Sequence, residues 1–223
     1  MKHLVGIYAF FTLCVLTASV LSIVFSIVWR KKDLLLNMIF NSGDLTAGLV
    51  MGIALMITSV MSVAAIVQRN HVMGGLVALN WALIADAIIV LVVGTKIWFF
   101  SLRQRAEFHT LYAALTPANR IVFQDKFSCC GYFNATDLVE IGGKFCTSQD
   151  FANSLNQTVL ANQCVTGITG ETDLILNHTF TVTYGFMAPI IALFLASLCV
   201  IKVRQEIERF KSIDAKRGGR GFV

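Results

Sequence analysis

The chain has 223 residues, of which 56% are hydrophobic and 14% are charged. Soluble globular domains carry about 25% charged residues, so this chain has too few to cover a water-facing surface. Its 17 Phe and only 2 Pro also exclude a disordered segment and a collagen-like fibre. The net charge of +5 is modest, and the basic residues lie mostly at the ends of apolar runs, which argues against nucleic-acid binding.

Four apolar segments are long enough to cross a membrane. A hydrocarbon core about 30 Å thick requires about 20 apolar residues in a helix, and a helix satisfies every backbone hydrogen bond within its own segment. Only the third segment contains a charged residue, Asp86. The sequence therefore predicts an all-α membrane protein. Its transmembrane helices are expected at residues 4–29, 45–67, 72–95 and 179–201.

The first of these segments has one alternative interpretation, a cleaved signal peptide. A signal h-region has about 7–15 apolar residues, and this run is nearly twice as long, so we expect a retained helix after a short N-terminus at residues 1–3. The connections differ greatly in length. Residues 30–44 form a small loop and residues 68–71 are barely a turn. The large loop, residues 96–178, is long enough for a small folded domain.

Helical spacing of apolar residues continues past Lys96 into the large loop. Thr116 followed by Pro117 predicts an N-cap and a new helix that ends near Phe127. We expect a second helix to enter the fourth span. Residues 132–163, rich in Gly, Asn and Thr, should form a head between these helices. The large loop is thus expected to be mainly helical and stapled by disulfides.

Two features predict that both loops are extracellular. Three N-glycosylation sequons begin at Asn134, Asn156 and Asn177, although Asn177 lies very close to the last span. The large loop also holds four of the six cysteines, and paired cysteines persist outside the cytosol. Four spans put both termini on one side. The Lys/Arg bias favours a cytoplasmic N-terminus and a cytoplasmic tail at residues 202–223, although the basic run at residues 30–32 opposes it.

The loop cysteines allow more than one pairing. Adjacent Cys129 and Cys130 would form a strained ring, so each should pair with Cys146 or Cys164, in a nested or a crossed pattern. A bridge that closes about 35 residues stabilises by about 3–4 kcal/mol in the chain-entropy model. Gly131, directly after the pair, indicates a tight backbone with positive φ.

The motif Cys129-Cys130-Gly131, in the second and larger extracellular loop of a four-span chain, resembles the tetraspanin signature. The preceding segment, residues 121–128, is similar to the family too, with Gln124 five residues before the pair. Asn134 and Asp137 after the motif also fit, as does the architecture of the whole chain. The Tyr-Phe-Asn that follows the motif and the presence of only four loop cysteines resemble the fungal members most.

The resemblance implies the bridges Cys129–Cys164 and Cys130–Cys146. It also implies a non-enzymatic membrane organiser whose partners are other integral membrane proteins, further copies of itself and lipids. Fungal members are associated with polarised growth and host-penetrating infection structures. The first and fourth spans lack the polar residues that animal members often carry, so animal rules of partner choice do not transfer.

Residues inside or beside the spans are the remaining candidates. Asp86 is either a proton or ion relay or a packing residue hydrogen-bonded to Asn80 or to a hydroxyl. Cys199, near the predicted inner end of the fourth span, and the deeper Cys14 are candidates for palmitoylation. The cationic tail should attract anionic lipid. Candidate packing faces are small residues at steps of four: Ala18, Ser22 and Ser26; Gly48 and Gly52; Gly74, Ala78 and Ala82.

No motif for a catalytic nucleophile, a phosphate loop or a metal site occurs in the sequence, so we expect no enzyme, no cofactor and no metal. Three other functions fit the sequence less well. A four-span thiol oxidoreductase needs a redox-cycling pair, usually Cys-x-x-Cys, which this chain lacks. In a junctional protein of the claudin kind the large stapled loop is the first extracellular loop, whereas in this chain it is the second. A small transporter or channel would have to use Asp86.

Overall fold

The computed structural model describes residues 2–30, 34–68, 73–156 and 159–216, and this part of the chain is helical and free of β-strands. Four helices are long and apolar enough to cross a membrane, so the protein is an all-α, multi-pass membrane protein, as the sequence predicts. The basic run at residues 31–32, the turn at residues 69–71 and the end of the tail lie outside the described residues. The helices are α1 (Lys2–Val28), α2 (Leu34–Ile39), α3 (Ser42–Val67), α4 (Gly74–Ala113), α5 (Pro117–Phe127), α6 (Gln149–Ser154), α7 (Cys164–Gly185) and α8 (Met187–Lys216), with a 3-10 turn at Leu160–Asn162.

Two of the predicted spans, the third and the fourth, differ clearly from the observed helices. Helix α4 continues without a break to Ala113, because no Gly or Pro follows Gly94 within it. The fourth apolar segment consists of two helices, α7 and α8, that meet at Phe186. Pro189 has no N–H to donate to the Gly185 carbonyl four residues earlier, and its ring crowds that carbonyl, which ends the first helix there.

The described residues divide into two compact units. The first lies within residues 1–31, 42–94 and 182–223 and contains the apolar helices. The second lies within residues 32–41 and 95–181 and contains the large loop together with the small one. The small loop is more than a plain connection, because it forms α2, whose apolar side chains are buried. These are Leu35, Met38 and Ile39, and Phe40 follows them.

Helices α1 and α3 pack closely in the first unit. The Ser22 hydroxyl donates to the Gly48 carbonyl at 2.8 Å. A Cβ built at Gly52 would lie 2.7 Å from a side-chain carbon of Ile23, so this position tolerates little beyond hydrogen. The two glycines therefore form the packing face that their spacing predicts.

The prediction that the small residues of α4 form a packing face is wrong. Gly74 and Ala78 are exposed, and a Cβ at Gly74 would meet no atom within 4 Å. The buried face of α4 instead carries Leu76, Leu79 and Leu83. Large side chains bury more apolar area than small ones, and here they outweigh the close approach that small residues permit.

Aromatic side chains form the core of the second unit. Phe108 and Tyr112 of α4, Phe123 of α5 and Tyr132 are at most 1% exposed. The ring centroids of Tyr112 and Tyr132 are 5.3 Å apart, and those of Tyr112 and Phe123 are 6.2 Å apart. Helix α5 spans the residues that its start signal predicts, with Thr116 extended at the N-cap and Pro117 at the first helical position.

Candidate functional site

The Cys-Cys-Gly segment is attached to α7 by covalent and hydrogen bonds. Cys129 is bridged to Cys164 and Cys130 to Cys146, which is the nested pattern that the resemblance implies. All four cysteines are at most 1% exposed. The first N–H groups of a helix have no partner within it. Here the N–H of Cys164 donates to the Gly131 carbonyl at 3.1 Å, and that of Val165 donates to the Tyr132 carbonyl at 3.1 Å.

Gly131 occupies a position that only glycine fits. Its φ is +76°, in the left-handed region that residues with a Cβ rarely adopt. A Cβ at this position would overlap the carbonyl oxygen of Asn134 and lie 3.1 Å from the carbonyl oxygen of Asp137. The positive φ inferred from the sequence is therefore confirmed, and the tight contact explains it.

Gln124 braces the same turn from α5. Its side chain is 1% exposed, and the amide faces backbone groups on two segments. In the orientation that satisfies both amide atoms, the oxygen accepts from the N–H of Gly131 at 3.1 Å and of Glu140 at 3.3 Å. The amide nitrogen donates to the Glu140 carbonyl at 2.8 Å. A single side chain thus provides hydrogen-bond partners for three backbone groups that no helix or strand satisfies.

Asp137 joins the turn to α4 through His109. One carboxyl oxygen lies 3.1 Å from His109 Nε2, and the other accepts from the N–H of Phe133 at 3.1 Å. The imidazole is stacked on the Phe133 ring with centroids 5.2 Å apart. The sequence offered no signal for His109, because the residues it contacts follow it by more than twenty positions.

The buried tyrosines of this site are structural. The Tyr132 hydroxyl donates to the Arg105 carbonyl at 3.0 Å, which fixes the residue after the motif against α4. Burial raises the pKa of both Tyr112 and Tyr132 far above the ordinary phenol value. Both phenols are therefore neutral across the physiological pH range, and neither can act as a base.

Asp125 holds a second turn of the loop. Its carboxylate accepts from the backbone N–H of Phe145 at 2.9 Å, and a Cβ built at Gly143 would lie 2.7 Å from the same oxygen. Hydrogen bonds from the backbone of Phe145 and Lys144 lower the pKa of Asp125. The turn leads directly into Cys146, so Asp125 helps to position the partner of Cys130.

The three sequons lie in different environments. Asn134 is exposed in the turn after the motif, where its side-chain oxygen accepts from the N–H of Thr136 at 3.0 Å. Asn177 is exposed within α7. Asn156 is described, but residues 157–158, which complete its sequon, lie outside the described residues.

The predicted intramembrane candidates are not brought together. Asp86 is buried, and among the described residues no hydrogen bond joins its carboxyl to Asn80. One oxygen of Asp86, Oδ1 of Asn80 and the Ser197 hydroxyl are buried without a hydrogen-bond partner among the described residues. Cys199 is exposed and Cys14 is partly exposed.

Sequence reasoning also missed a buried polar cluster between α1, α3 and α8. The Tyr8 hydroxyl donates to the Ser62 carbonyl at 2.9 Å, and the hydroxyls of Thr12 and Ser62 lie 2.7 Å apart. Arg204 is 5% exposed and donates to the carbonyl of Ile66 at 2.9 Å and, more weakly, to that of Ala65 at 3.4 Å. The guanidinium thereby caps the carboxyl end of α3.

Among the described residues, no group of three or more His, Cys, Asp or Glu side chains is placed to hold a metal ion. Comparison of the chain with protein-family models, with curated proteins and with solved structures gives no match.

Proposed function

We propose that this protein is a tetraspanin-like membrane organiser, which binds other integral membrane proteins and further copies of itself in lateral assemblies without catalysing a reaction. One observation carries the proposal. The Cys-Cys-Gly turn is braced by two buried bridges, by the Gln124 amide and by the His109–Asp137 pair. Such bracing holds irregular loop residues in fixed positions on helices, and recognition is concentrated on loops of this kind.

The second unit offers candidate positions for such contacts. Several apolar side chains of its loops and short helices are exposed, and we propose that they contact partner proteins. They include Val122 at 54%, Phe133 at 41%, Ile141 at 39% and Leu160 at 58% exposure.

The same proposal assigns the sides of the membrane. The large loop is extracellular and both termini are cytoplasmic, in the plasma membrane or in endomembrane vesicles. Bridged cysteines and an exposed sequon at Asn134 support this orientation. Cys199 and, less directly, Cys14 are the acylation candidates. In a fungus, the organiser would serve polarised growth or host-penetrating infection structures.

Burial of the bridges argues against the thiol oxidoreductase. Disulfide exchange requires a thiolate to attack one sulfur in line, so a redox-cycling bridge must be accessible. Every bridged cysteine here is at most 1% exposed. The bridges are therefore expected to resist mild reductants in the folded protein.

A small transporter is the second candidate, and one observation favours it. Buried polar side chains come from all four apolar segments, including Thr12, Ser62, Asp86 and Ser197. Polar atoms of Asn80, Asp86 and Ser197 have no hydrogen-bond partner among the described residues. Proton and cation fluxes into liposomes that contain the purified protein test this role. A flux that the Asp86→Asn variant abolishes would favour the transporter over the organiser.

Cross-linking in intact cells tests the organiser. The tagged chain is cross-linked at the cell surface, purified in mild detergent and analysed for covalently attached membrane proteins and for its own dimers. A double variant, Val122→Glu with Leu160→Glu, changes two exposed positions, and Thr147→Glu is the control for added charge at an exposed site.

The proposal predicts specific membrane-protein adducts that the double variant loses by at least fivefold and the control retains, at equal surface delivery. If native and double-variant proteins give the same adducts, or none above an unrelated four-span protein, the organiser role is wrong.

A further inference from the structure

The last two turns of α8 are exposed at every position, from Arg209 to Lys216. Their helical form depends on backbone hydrogen bonds and not on packing. A helical segment of fewer than about 12 residues is marginally stable in water without packing, and the last four carbonyls of a helix have no partner within it. This end of α8 therefore unwinds at little cost, while the buried Arg204 keeps the preceding turns attached to α3.

Ser212 lies in this exposed end and has a free hydroxyl group. Ser side chains in helices commonly donate to a carbonyl three or four residues earlier. Ser101 donates in this way to the Trp98 carbonyl at 2.9 Å, and Ser154 donates to the Phe151 carbonyl at 2.7 Å. The Ser212 hydroxyl makes no hydrogen bond to any described residue. Its oxygen is therefore open to a reagent from solution.

The residues around Ser212 match the pattern that Arg-directed serine kinases recognise. Arg209 stands three residues before the serine, and two apolar residues, Ile207 and Ile213, stand five residues before it and one residue after it. Kinases select substrates by such patterns, in which carboxylates of the kinase bind the arginine and apolar pockets take the flanking side chains. The chain contains no other Arg-x-x-Ser or Arg-x-x-Thr sequence.

Arg209 suits recognition because its charge is not engaged within the chain. It is exposed and forms no ion pair with any described residue. In contrast, Lys211 is paired with Glu208 at 3.1 Å, and Arg204 is buried against α3. A guanidinium presents a planar fork of donors that matches a carboxylate. A kinase carboxylate can thus bind Arg209 without breaking a contact of this chain.

We propose that Ser212 is a phosphorylation site for an Arg-directed serine kinase that uses ATP. The Ser212 Oγ attacks the γ-phosphorus of ATP, and the bond from that phosphorus to the β–γ bridging oxygen breaks. ADP leaves with the bridging oxygen, and the hydroxyl proton passes to the catalytic carboxylate of the kinase. This inference rests on the cytoplasmic tail of the proposed function and adds a regulation to it.

The phosphate changes the charge of the tail. Residues 202–223 contain seven Lys/Arg against three Asp/Glu. A phosphoserine adds about −1.5 to −2 charges at neutral pH, so it cancels up to about half of the net positive charge of this segment.

The first experiment uses the full chain in nanodiscs, in which both faces of the membrane are accessible. Radioactive ATP and the isolated catalytic domain of Ca²⁺/calmodulin-dependent protein kinase II are the probes. We expect one phosphate per chain, on Ser212, and none in Ser212→Ala. Arg209→Gln should lower kcat/KM at least tenfold, because it removes the cation that the kinase binds. Lys216→Gln removes an equally exposed charge four residues after the serine and should change kcat/KM less than threefold.

The second experiment tests the site in cells. The tagged chain is purified from cells in which phosphatases are inhibited, and peptides that contain Ser212 are analysed by mass spectrometry before and after phosphatase treatment. We expect a phosphate on Ser212 that the phosphatase removes and that Arg209→Gln loses.

Three results would overturn the proposal: no phosphate on Ser212 in nanodiscs, equal rates for Arg209→Gln and Lys216→Gln, or a Ser212 that stays unmodified in cells. In the last case, reaction of the loop cysteines with an impermeant reagent identifies the cause. Cysteines that react only after permeabilisation would mean that the proposed orientation has failed. Cysteines that react from outside, after reduction, would mean that the kinase assignment alone has failed.

Discussion

Replacing Gly131 by alanine tests the account of the Cys-Cys-Gly turn most sharply. The left-handed φ of +76° at this position costs a residue with a Cβ about 1–2 kcal/mol. In addition, the new methyl would overlap the Asn134 carbonyl oxygen, and this oxygen cannot move freely because it accepts from the N–H of Asp137 at 3.1 Å. The unfavourable φ and the steric overlap together should lower the free energy of unfolding of the second unit by about 3–5 kcal/mol.

Gly142 provides the matched control. Its φ is +105°, but a Cβ there would meet no atom within 4 Å. Gly142→Ala should therefore cost only the conformational part, about 1–2 kcal/mol. The difference between the two variants isolates the contact with the Asn134 carbonyl.

The measurement is the temperature at which the large loop of the full-length protein in detergent becomes sensitive to protease. One kcal/mol shifts the melting temperature of a domain of this size by about 4–8 °C. Gly131→Ala should lower it by about 12–40 °C and Gly142→Ala by about 4–16 °C, with the larger shift in Gly131→Ala under the same conditions. Equal shifts in both variants, or no shift in Gly131→Ala, would show that the turn is not packed as described.

Three further changes are expected to act through separate groups. Gln124→Leu leaves backbone groups of Gly131 and Glu140 buried without partners, so the loop should lose about 2–4 kcal/mol by the same protease assay; a loss below 1 kcal/mol would contradict the bracing role. Because the pKa of Asp125 is lowered in the folded state, its stabilisation is complete above the ordinary value of 3.8 and disappears as the pH falls through the lowered value. The melting temperature of the native loop should accordingly fall in acid more steeply than that of Asp125→Asn, and parallel pH profiles would refute this. Arg204→Met removes the cap from the end of α3 and should destabilise the first unit by about 1–3 kcal/mol in a denaturant titration, whereas Arg209→Met, at an exposed position, should change it by less than about 0.5 kcal/mol.

Local signals in the sequence predicted much of this fold. The four apolar runs are long and nearly uncharged, so their spans follow from length and composition alone. The start of α5 was predictable because Thr116 and Pro117 act on adjacent residues. The positive φ of Gly131 followed likewise from its place beside two cysteines.

Features that depend on distant contacts were not predictable. The face that α4 buries was misjudged, because the spacing of small residues says nothing about whether large neighbours such as Leu79 bury more area. The break before α8 arises from Pro189 acting four residues back in an apolar run that otherwise looks continuous.

The bracing residues are equally invisible in a linear pattern. His109 acquires its role only when α4 and Asp137 come together in space. Arg204 looked like one of several tail cations, and only its contact with the end of α3, more than 130 positions earlier, separates it from Arg209.

Labelling of the loop cysteines in intact cells tests the central claim most directly. In a variant with Cys14→Ser and Cys199→Ser, only the four loop cysteines can react with a maleimide that does not cross membranes. The account predicts no labelling until a strong reductant is added outside the cells, followed by labelling of all four. Labelling that needs no reductant and appears only after the cells are permeabilised would contradict it, because the loop would then be cytosolic and its thiols unpaired.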